Sequence, residues 1–311
     1  MSTTARVQAQ LPPSREGEFT LPDGRALTYG LYGADAGPLV VVLDGPGSRG
    51  LGQAAAGSAG ALGVTLLVPD RPGFGGSSNP PPHYAFTAAG DDLQALVTAL
   101  SHERFGIVAQ SGGTPYGLAL AAGAGAAAVT GLAFVGAISP LGDPDALQDV
   151  HGQMRTMFML ARRAPWALAP LLSVVARRTR KDPEAAARAY AKGLPEADQA
   201  ALRDPEIWAI HVAGSAEAVS DPSQFAREAR MLAEPWEIDL TRIAAPAAFW
   251  VGELDPTHPV VMSRRIAAHL GGAPVTVVPG AATFAMGAVF PDVLRHAAGL
   301  ARAGAALTSS G

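Results

Sequence analysis

Cysteine is absent from this 311-residue sequence, and lysine occurs only twice, at Lys181 and Lys192. The lack of cysteine excludes disulfide bonds, thiolate nucleophiles and cysteine-ligated zinc, and no other metal-ligand spacing is found. Charged residues make up only 16% of the chain, with a net charge of −4. Such a balance provides no chain-wide excess of positive charge. We therefore expect neither nucleic acid nor a membrane as partner, and no metal or cofactor.

No segment has the pattern of a secretory signal or of a membrane span. Residues 1–15 contain no long apolar run and predict a flexible tail. The stretch Gly117–Ile138 is uncharged, but Gly123, Gly125 and Gly131 interrupt it. It predicts a buried helix, a turn and a buried strand. Together with the missing cysteines, these features predict a cytoplasmic protein.

Short apolar runs alternate with segments of helical periodicity. A hairpin is predicted first, with strands Glu18–Leu21 and Ala26–Tyr32. Continuous apolar runs of the kind found in doubly covered strands follow at Leu39–Leu43, Val64–Val68, Gly106–Ala109, Leu132–Ala137 and Ala247–Val251. A further strand is predicted at Val275–Val278. This alternation predicts an α/β fold, a mostly parallel sheet flanked by helices.

The alternation stops in the middle of the chain. Between residues 140 and 238 the pattern is helical and nearly free of strands. We therefore predict one α/β core, built from residues 16–139 and 239–306, with a helical insertion at 140–238.

A serine on a sharp strand-to-helix turn is the strongest chemical signal. The strand Gly106–Ala109 leads into Ser111, with small residues at Ala109 and Gly113 and with Pro115 in the first turn of the next helix. Small residues two positions before and after the serine are what a nucleophile elbow requires, because bulkier ones would collide with strand and helix. A glycine-rich helix start that happens to contain serine is the plainer alternative.

The sequence resembles the α/β-hydrolase family from about Gly17 to Arg302. The segments that carry the resemblance are Pro46-Gly47-Ser48-Arg49, Asp70-Arg71-Pro72-Gly73-Phe74-Gly75-Gly76-Ser77, Gln110-Ser111-Gly112-Gly113 and Trp250-Val251-Gly252-Glu253-Leu254-Asp255-Pro256. The resemblance implies an α/β-hydrolase core in which the insertion is a cap. It also implies Ser111 as nucleophile, Asp255 as the acid of a triad, and an oxyanion hole from the backbone N–H groups of Gly45 and Gly112.

The family pattern breaks at the histidine. The family places its base just after the last strand, where this chain has Thr283, preceded by Ala282 in place of the usual glycine. Threonine cannot serve as a base near neutral pH. The residue pair before the oxyanion turn is altered as well, to Leu43 and Asp44. The sequence therefore predicts a degenerate triad.

Five residues are candidates to replace the missing base. Asp44 would stand near Ser111 at the end of a central strand, where burial raises a carboxyl pKa; binding of backbone N–H groups in its own turn is the alternative. His258 lies on the acid loop, where a structural role is the plainer interpretation. The remaining candidates are His83, in a proline-rich loop, and His151 and His211, on helices of the insertion.

The leading hypothesis is an enzyme that acts on a small, largely apolar molecule between core and cap. Without a triad histidine, its chemistry is expected to be non-standard, such as elimination, cyclisation, isomerisation or acyl chemistry. One alternative is an ester, lactone or amide hydrolase with a relocated base, and another is a catalytically silent binding protein. Gly45-Pro46-Gly47-Ser48-Arg49-Gly50, followed by Asp70, also fits a dinucleotide fingerprint. An NAD(P)-dependent oxidoreductase is thus a remote alternative, and a homodimer stays open.

Two features of the insertion have plain interpretations. Its first part is apolar, with Met154, Met157 and Trp166, which suits a lid over an apolar substrate or packing against the sheet. The basic run from Arg177 to Lys181 predicts a solvated helix end.

Overall fold

A single eight-stranded sheet forms the centre of the molecule. The computed structural model describes residues 12–46, 49–124, 127–142, 144–150 and 152–300. The strands lie in the order β1-β2-β4-β3-β5-β6-β7-β8. Their bounds are β1 Arg15–Thr20, β2 Ala26–Gly33, β3 Leu39–Leu43, β4 Thr65–Pro69, β5 Phe105–Ser111, β6 Val129–Ala137, β7 Ala247–Gly252 and β8 Val275–Val278.

The pairing is antiparallel at one edge and parallel elsewhere. Strand β2 pairs antiparallel with β1 and with β4, whereas all pairs from β4–β3 to β7–β8 are parallel. The central strands are largely apolar because helices cover both faces, so no solvent-facing side selects polar residues. The predicted fold class is confirmed, with most strand ends within a few residues of the predicted ones.

Twelve α-helices are described. They are α1 Gly50–Leu62, α2 Phe86–Ala99, α3 Thr114–Gly123, α4 Pro144–Asp149, α5 Gly152–Arg163, α6 Pro165–Lys181, α7 Pro183–Ala191, α8 Glu196–Ala201, α9 Pro205–Ala218, α10 Pro222–Ala233, α11 Val260–His269 and α12 Phe290–Ala297. None of the described helices is both long and apolar enough to cross a bilayer.

Helices α4–α10 all lie between β6 and β7, in the stretch predicted as an insertion. We call residues 140–238 the helical segment; its described part contains no strand. Aspartates cap three of its helices, for example Asp204 at α9 and Asp221 at α10, whose side chains accept hydrogen bonds from the first N–H groups.

The predicted tail is too long at its carboxyl end. Strand β1 already includes Arg15, and the Ser14 N–H donates to the Leu31 carbonyl, so the chain is tied to the sheet before residue 16. Residues 1–11 lie outside the described part of the chain.

Candidate active site

Ser111 lies where β5 passes into α3, and its backbone has the left-handed φ of 49°. A non-glycine residue in that region has a strained backbone, and this strained conformation is typical of the serine in a nucleophile elbow. Gly113 must be small for a visible reason: a Cβ there would lie 2.0 Å from the Leu43 carbonyl oxygen. Pro115 sits in the first turn of α3, where its missing N–H costs nothing.

His258 reaches the serine from the loop that follows β7. Its Nε2 is 2.8 Å from Ser111 Oγ, and its Nδ1 is 2.9 Å from Asp255 Oδ2. An ionised carboxylate can only accept hydrogen bonds, so the proton between the two residues belongs to Nδ1. In the neutral imidazole, Nε2 is then free to accept the Ser111 hydroxyl proton. This is the arrangement of a complete Ser–His–Asp triad.

The expectation of a degenerate triad is therefore corrected, because His258, one of the candidate substitute bases, lies in hydrogen-bond reach of Ser111. The family position does hold Thr283, but the imidazole comes from His258, three residues after the acid on the same loop. The preferred interpretation of His258 as a structural loop residue is corrected as well. The sequence did carry a signal, the Asp255-Pro256-Thr257-His258 spacing, but it does not show that the ring turns toward β5.

The acid loop folds so that one aspartate orients the histidine twice. Asp255 Oδ1 accepts hydrogen bonds from the N–H groups of Thr257 and His258, while Oδ2 accepts from the ring. The ring lies against Gly136 at the end of β6, which has a φ of 56°. A Cβ at Gly136 would lie 3.1 Å from His258 Nδ1, so glycine leaves the space that the imidazole occupies.

Asp255 is held ionised although it is buried. Burial alone would raise the pKa of this carboxyl. The charge of His258 and the hydrogen bonds from its ring and its N–H and from the Thr283 hydroxyl outweigh that effect and hold the pKa at about 2. An ionised Asp255 is what an imidazolium at His258 needs during catalysis.

Thr283 acts on the acid. Its Oγ1 donates to Asp255 Oδ2 at 2.9 Å. The loop around it is fixed by Asp198 of α8, which is fully buried and accepts from the N–H groups of Thr283, Phe284 and Ala285 at 3.2, 2.6 and 3.3 Å. The helical segment is thus connected to the triad acid through one hydroxyl group.

The carboxylate of Asp44 binds backbone groups of its own turn. Its Oδ1 accepts from the Gly45 N–H at 2.6 Å and its Oδ2 from the Leu51 N–H at 2.7 Å. These bonds fix the turn between β3 and α1. Binding of backbone N–H groups is the alternative role given for Asp44 in the sequence analysis. The Gly45 N–H, predicted as an oxyanion donor, is therefore occupied in this conformation. The Gly112 N–H follows Ser111 directly, at the place where the fold puts the first donor.

Of the other candidate histidines, the two in the described part of the chain form no hydrogen bond with Ser111. His83 is exposed in a loop with a φ of 64°. His211 is buried on α9, with its ring centroid 5.0 Å from that of Phe284, and burial lowers the pKa of its imidazole. His151 lies outside the described residues.

A buried ion pair connects the elbow to the helical segment. Arg71 Nη2 lies 2.8 Å from Glu228 Oε2 of α10, and Arg71 Nη1 donates to the Gly112 carbonyl at 3.2 Å. The Tyr116 hydroxyl donates to Glu228 Oε1, and the Arg71 guanidinium lies 4.9 Å from the Tyr116 ring centroid. Breaking such a pair leaves a buried charge without compensation, so the positions of Arg71 and Glu228 depend on each other.

A cavity of about 770 Å³ lies between the β1–β2 edge and the helical segment. Its lining includes Arg49, Asp70 and Glu217, and burial raises the pKa of Glu217 to about 8. Ser111 is not among the lining residues. The walls of this cavity mix polar and apolar groups, whereas a largely apolar substrate pocket is expected from the sequence.

The structure does not favour the dinucleotide-binding alternative, because Asp70 is bound by other side chains. Both oxygens of Asp70 are engaged by Arg49, and Oδ2 also accepts from the Thr28 hydroxyl at 2.6 Å, so the carboxylate is not offered to a ribose. The described residues contain no cluster of side chains that could hold a metal ion.

Comparisons with known proteins agree with the fold. The family model for the alpha/beta hydrolase fold matches residues 38–286. The chain is similar to a hydrolase from Pseudomonas aeruginosa at 19% identity, with 91% of this chain and 98% of that chain covered and a TM-score of 0.65. It is also similar to an epoxide hydrolase from Vigna radiata, at 16% identity over 91% and 96% of the chains and a TM-score of 0.64.

An esterase from Exiguobacterium antarcticum matches at 17% identity over 88% and 93% of the chains, with a TM-score of 0.61. Identities this low speak for the fold and not for a substrate. No curated protein matches the sequence at a significant level. Because the family match spans most of the sequence and the sheet has the same architecture, the chain belongs to the α/β-hydrolase fold family.

Proposed function

We propose that the chain is a serine hydrolase that cleaves small, largely apolar esters or related acyl compounds. The observation that carries this proposal is the 2.8 Å distance between His258 Nε2 and Ser111 Oγ. Elimination, cyclisation and isomerisation were expected because a base was missing. His258 supplies a base in hydrogen-bond reach of the nucleophile, so ordinary acyl transfer needs no further residue.

The reaction follows from the positions of three side chains. Ser111 Oγ attacks the substrate carbonyl carbon while His258 Nε2 takes the hydroxyl proton, and Asp255 stabilises the imidazolium. His258 then gives that proton to the leaving alkoxide, which departs as an alcohol and leaves an acyl-serine. Water, deprotonated by the same Nε2, then attacks the acyl-serine. His258 returns this proton to Ser111 Oγ as the acid leaves, which restores the Ser111 hydroxyl.

Two of the three groups nearest to the elbow support an apolar substrate. A Cβ built on Gly112 would lie 3.6 Å from Leu232 Cδ1, 3.7 Å from Pro46 Cδ and 3.6 Å from Arg71 Nη1, so two aliphatic groups and one guanidinium flank this position next to the nucleophile. The Gly112 N–H stabilises the negative charge on the carbonyl oxygen. A second donor from Gly45 requires its N–H to leave Asp44 when substrate binds.

Hydrolysis of p-nitrophenyl esters of two to eight carbons, compared with the Ser111→Ala variant, tests the proposal. We expect saturable hydrolysis that the variant loses, together with an acyl-serine mapped to Ser111 by mass spectrometry. Absence of turnover in the unmodified protein would contradict the proposal. Ligand binding without turnover would instead favour the silent binding protein.

A further inference from the structure

Helix α6 exposes an apolar face that nothing in the described structure covers. Trp166 is 81% exposed, Leu171 56%, Val175 44% and Val174 37%. The opposite face of α6 is buried in the helical segment through Leu168, Leu172 and Ala176. Several of the largest apolar side chains of this helix therefore face solvent, although the sequence suits a lid or packing against the sheet.

Positive charge surrounds this face. The stretch from Gly152 to Lys181 holds seven basic residues and no acidic one, although the chain as a whole carries a net charge of −4. All seven are exposed, and none forms an ion pair with another described residue. They are Arg155, Arg162, Arg163, Arg177, Arg178, Arg180 and Lys181.

The two features share one side of the helix. Trp166, Pro170 and Val174 follow one another at intervals of four residues, and Arg177, Arg178 and Lys181 continue that side through the last turns. An exposed tryptophan and aliphatic side chains beside unpaired arginines are typical of a helix that lies in the headgroup region of a bilayer. The basic groups attract anionic headgroups, and the apolar ones enter the acyl boundary.

We propose that the outer face of α6, with the basic end of α5, docks on an anionic lipid surface. A second protein copy fits less well, because two such faces would bring the same positive charges together. The position in the fold is consistent with this partner, since α6 packs on α10, and Leu232 of α10 lies over Gly112 beside the nucleophile. The sequence-based prediction excluded a membrane partner because the net charge is negative. Net charge does not show that the basic residues of α5 and α6 are concentrated in one part of the chain.

Vesicle co-sedimentation of the full chain tests the proposal, using Ser111→Ala so that catalysis plays no part. The vesicles are phosphatidylcholine alone or with about 30% phosphatidylserine. We expect binding to the anionic vesicles only, weakened by salt, with a blue shift of tryptophan fluorescence that Trp166→Phe removes.

Charge reversals locate the surface. Arg177→Glu combined with Arg178→Glu is expected to weaken binding at least tenfold. Arg203→Glu combined with Arg264→Glu makes the same change in net charge at two exposed positions elsewhere and should leave binding within twofold. Leu171→Ser combined with Val174→Ser should reduce the binding that survives high salt.

Three results would overturn the proposal. These are no binding to anionic vesicles, equal loss in both charge-reversed variants, or a dimer in light scattering that Leu171→Ser and Val174→Ser dissolve. None of them bears on ester hydrolysis, so failure here is distinguishable from failure of the proposed function.

Discussion

Two neighbouring loops at the carboxyl edge of the sheet divide the work of the triad in an unusual way. The β7 loop, residues 253–259, carries both the acid Asp255 and the base His258. The β8 loop, residues 279–286, offers only the Thr283 hydroxyl, which donates to the same acid. Because parallel strands end side by side, an imidazole from either loop can reach the serine. The absence of a histidine from one of these loops is thus weak evidence for a lost activity.

Removing the ring from the β7 loop should have the largest effect. In His258→Ala, Ser111 keeps its strained turn but has no group to take its proton. We expect kcat for an activated ester to fall by about 10⁵- to 10⁶-fold with KM little changed. Steady-state kinetics measures this, and a fall of less than about tenfold would show that another group is the base.

The acid in the same loop should matter next. Asp255→Asn is isosteric but favours the wrong tautomer of His258, and we expect kcat to fall by about 10⁴-fold. If Asp255→Asn reached the kcat of the unmodified protein at high pH, this role of Asp255 would be contradicted.

Asp255 also connects folding stability to pH. Its pKa falls from 3.8 to about 2 on folding, so the ionised carboxylate stabilises the protein above pH 4, and this contribution is lost as the pH falls toward 2. The contribution is about 2 kcal/mol. Urea unfolding between pH 5 and 2 should show a smaller loss of stability in Asp255→Asn than in the unmodified protein.

Gly136 tests the space that the β7 loop needs. Gly136→Ala places a methyl group 3.1 Å from His258 Nδ1, and displacement of the ring should lower kcat by about 10- to 100-fold. Gly271→Ala is the matched control, because Gly271 also has a positive φ of 66° but has nothing within 4 Å of its Cβ position. Both variants should lose similar stability, and only Gly136→Ala should lose activity.

The β8 loop should show the smallest effect. Thr283→Val removes one hydrogen bond to Asp255, so its pKa should rise and kcat should fall by about tenfold. Thr283→Ser keeps the hydroxyl and should restore kcat. Equal activity in the two variants, with no change in the pH profile, would show that Thr283 only fills space.

The sheet could be predicted from the sequence because strands covered by helices on both faces must be largely apolar, as Leu39–Leu43 shows. Ser111 could be predicted because an elbow restricts its neighbours to small residues. The base could not be predicted, because the direction of the His258 ring depends on Gly136, which lies on the neighbouring strand β6 but far away in sequence. The same holds for Asp44, whose oxygens are taken by backbone groups of its own turn.

The most direct test of the relocated base is the rate at which a fluorophosphonate labels Ser111. This reaction needs the activated serine but no particular substrate. Peptide mapping by mass spectrometry should place the label on Ser111, at a rate that falls at least about 10³-fold in His258→Ala and less than about 30-fold in Thr283→Val. Labelling of His258→Ala at the rate of the unmodified protein would contradict the assignment of His258 as the base.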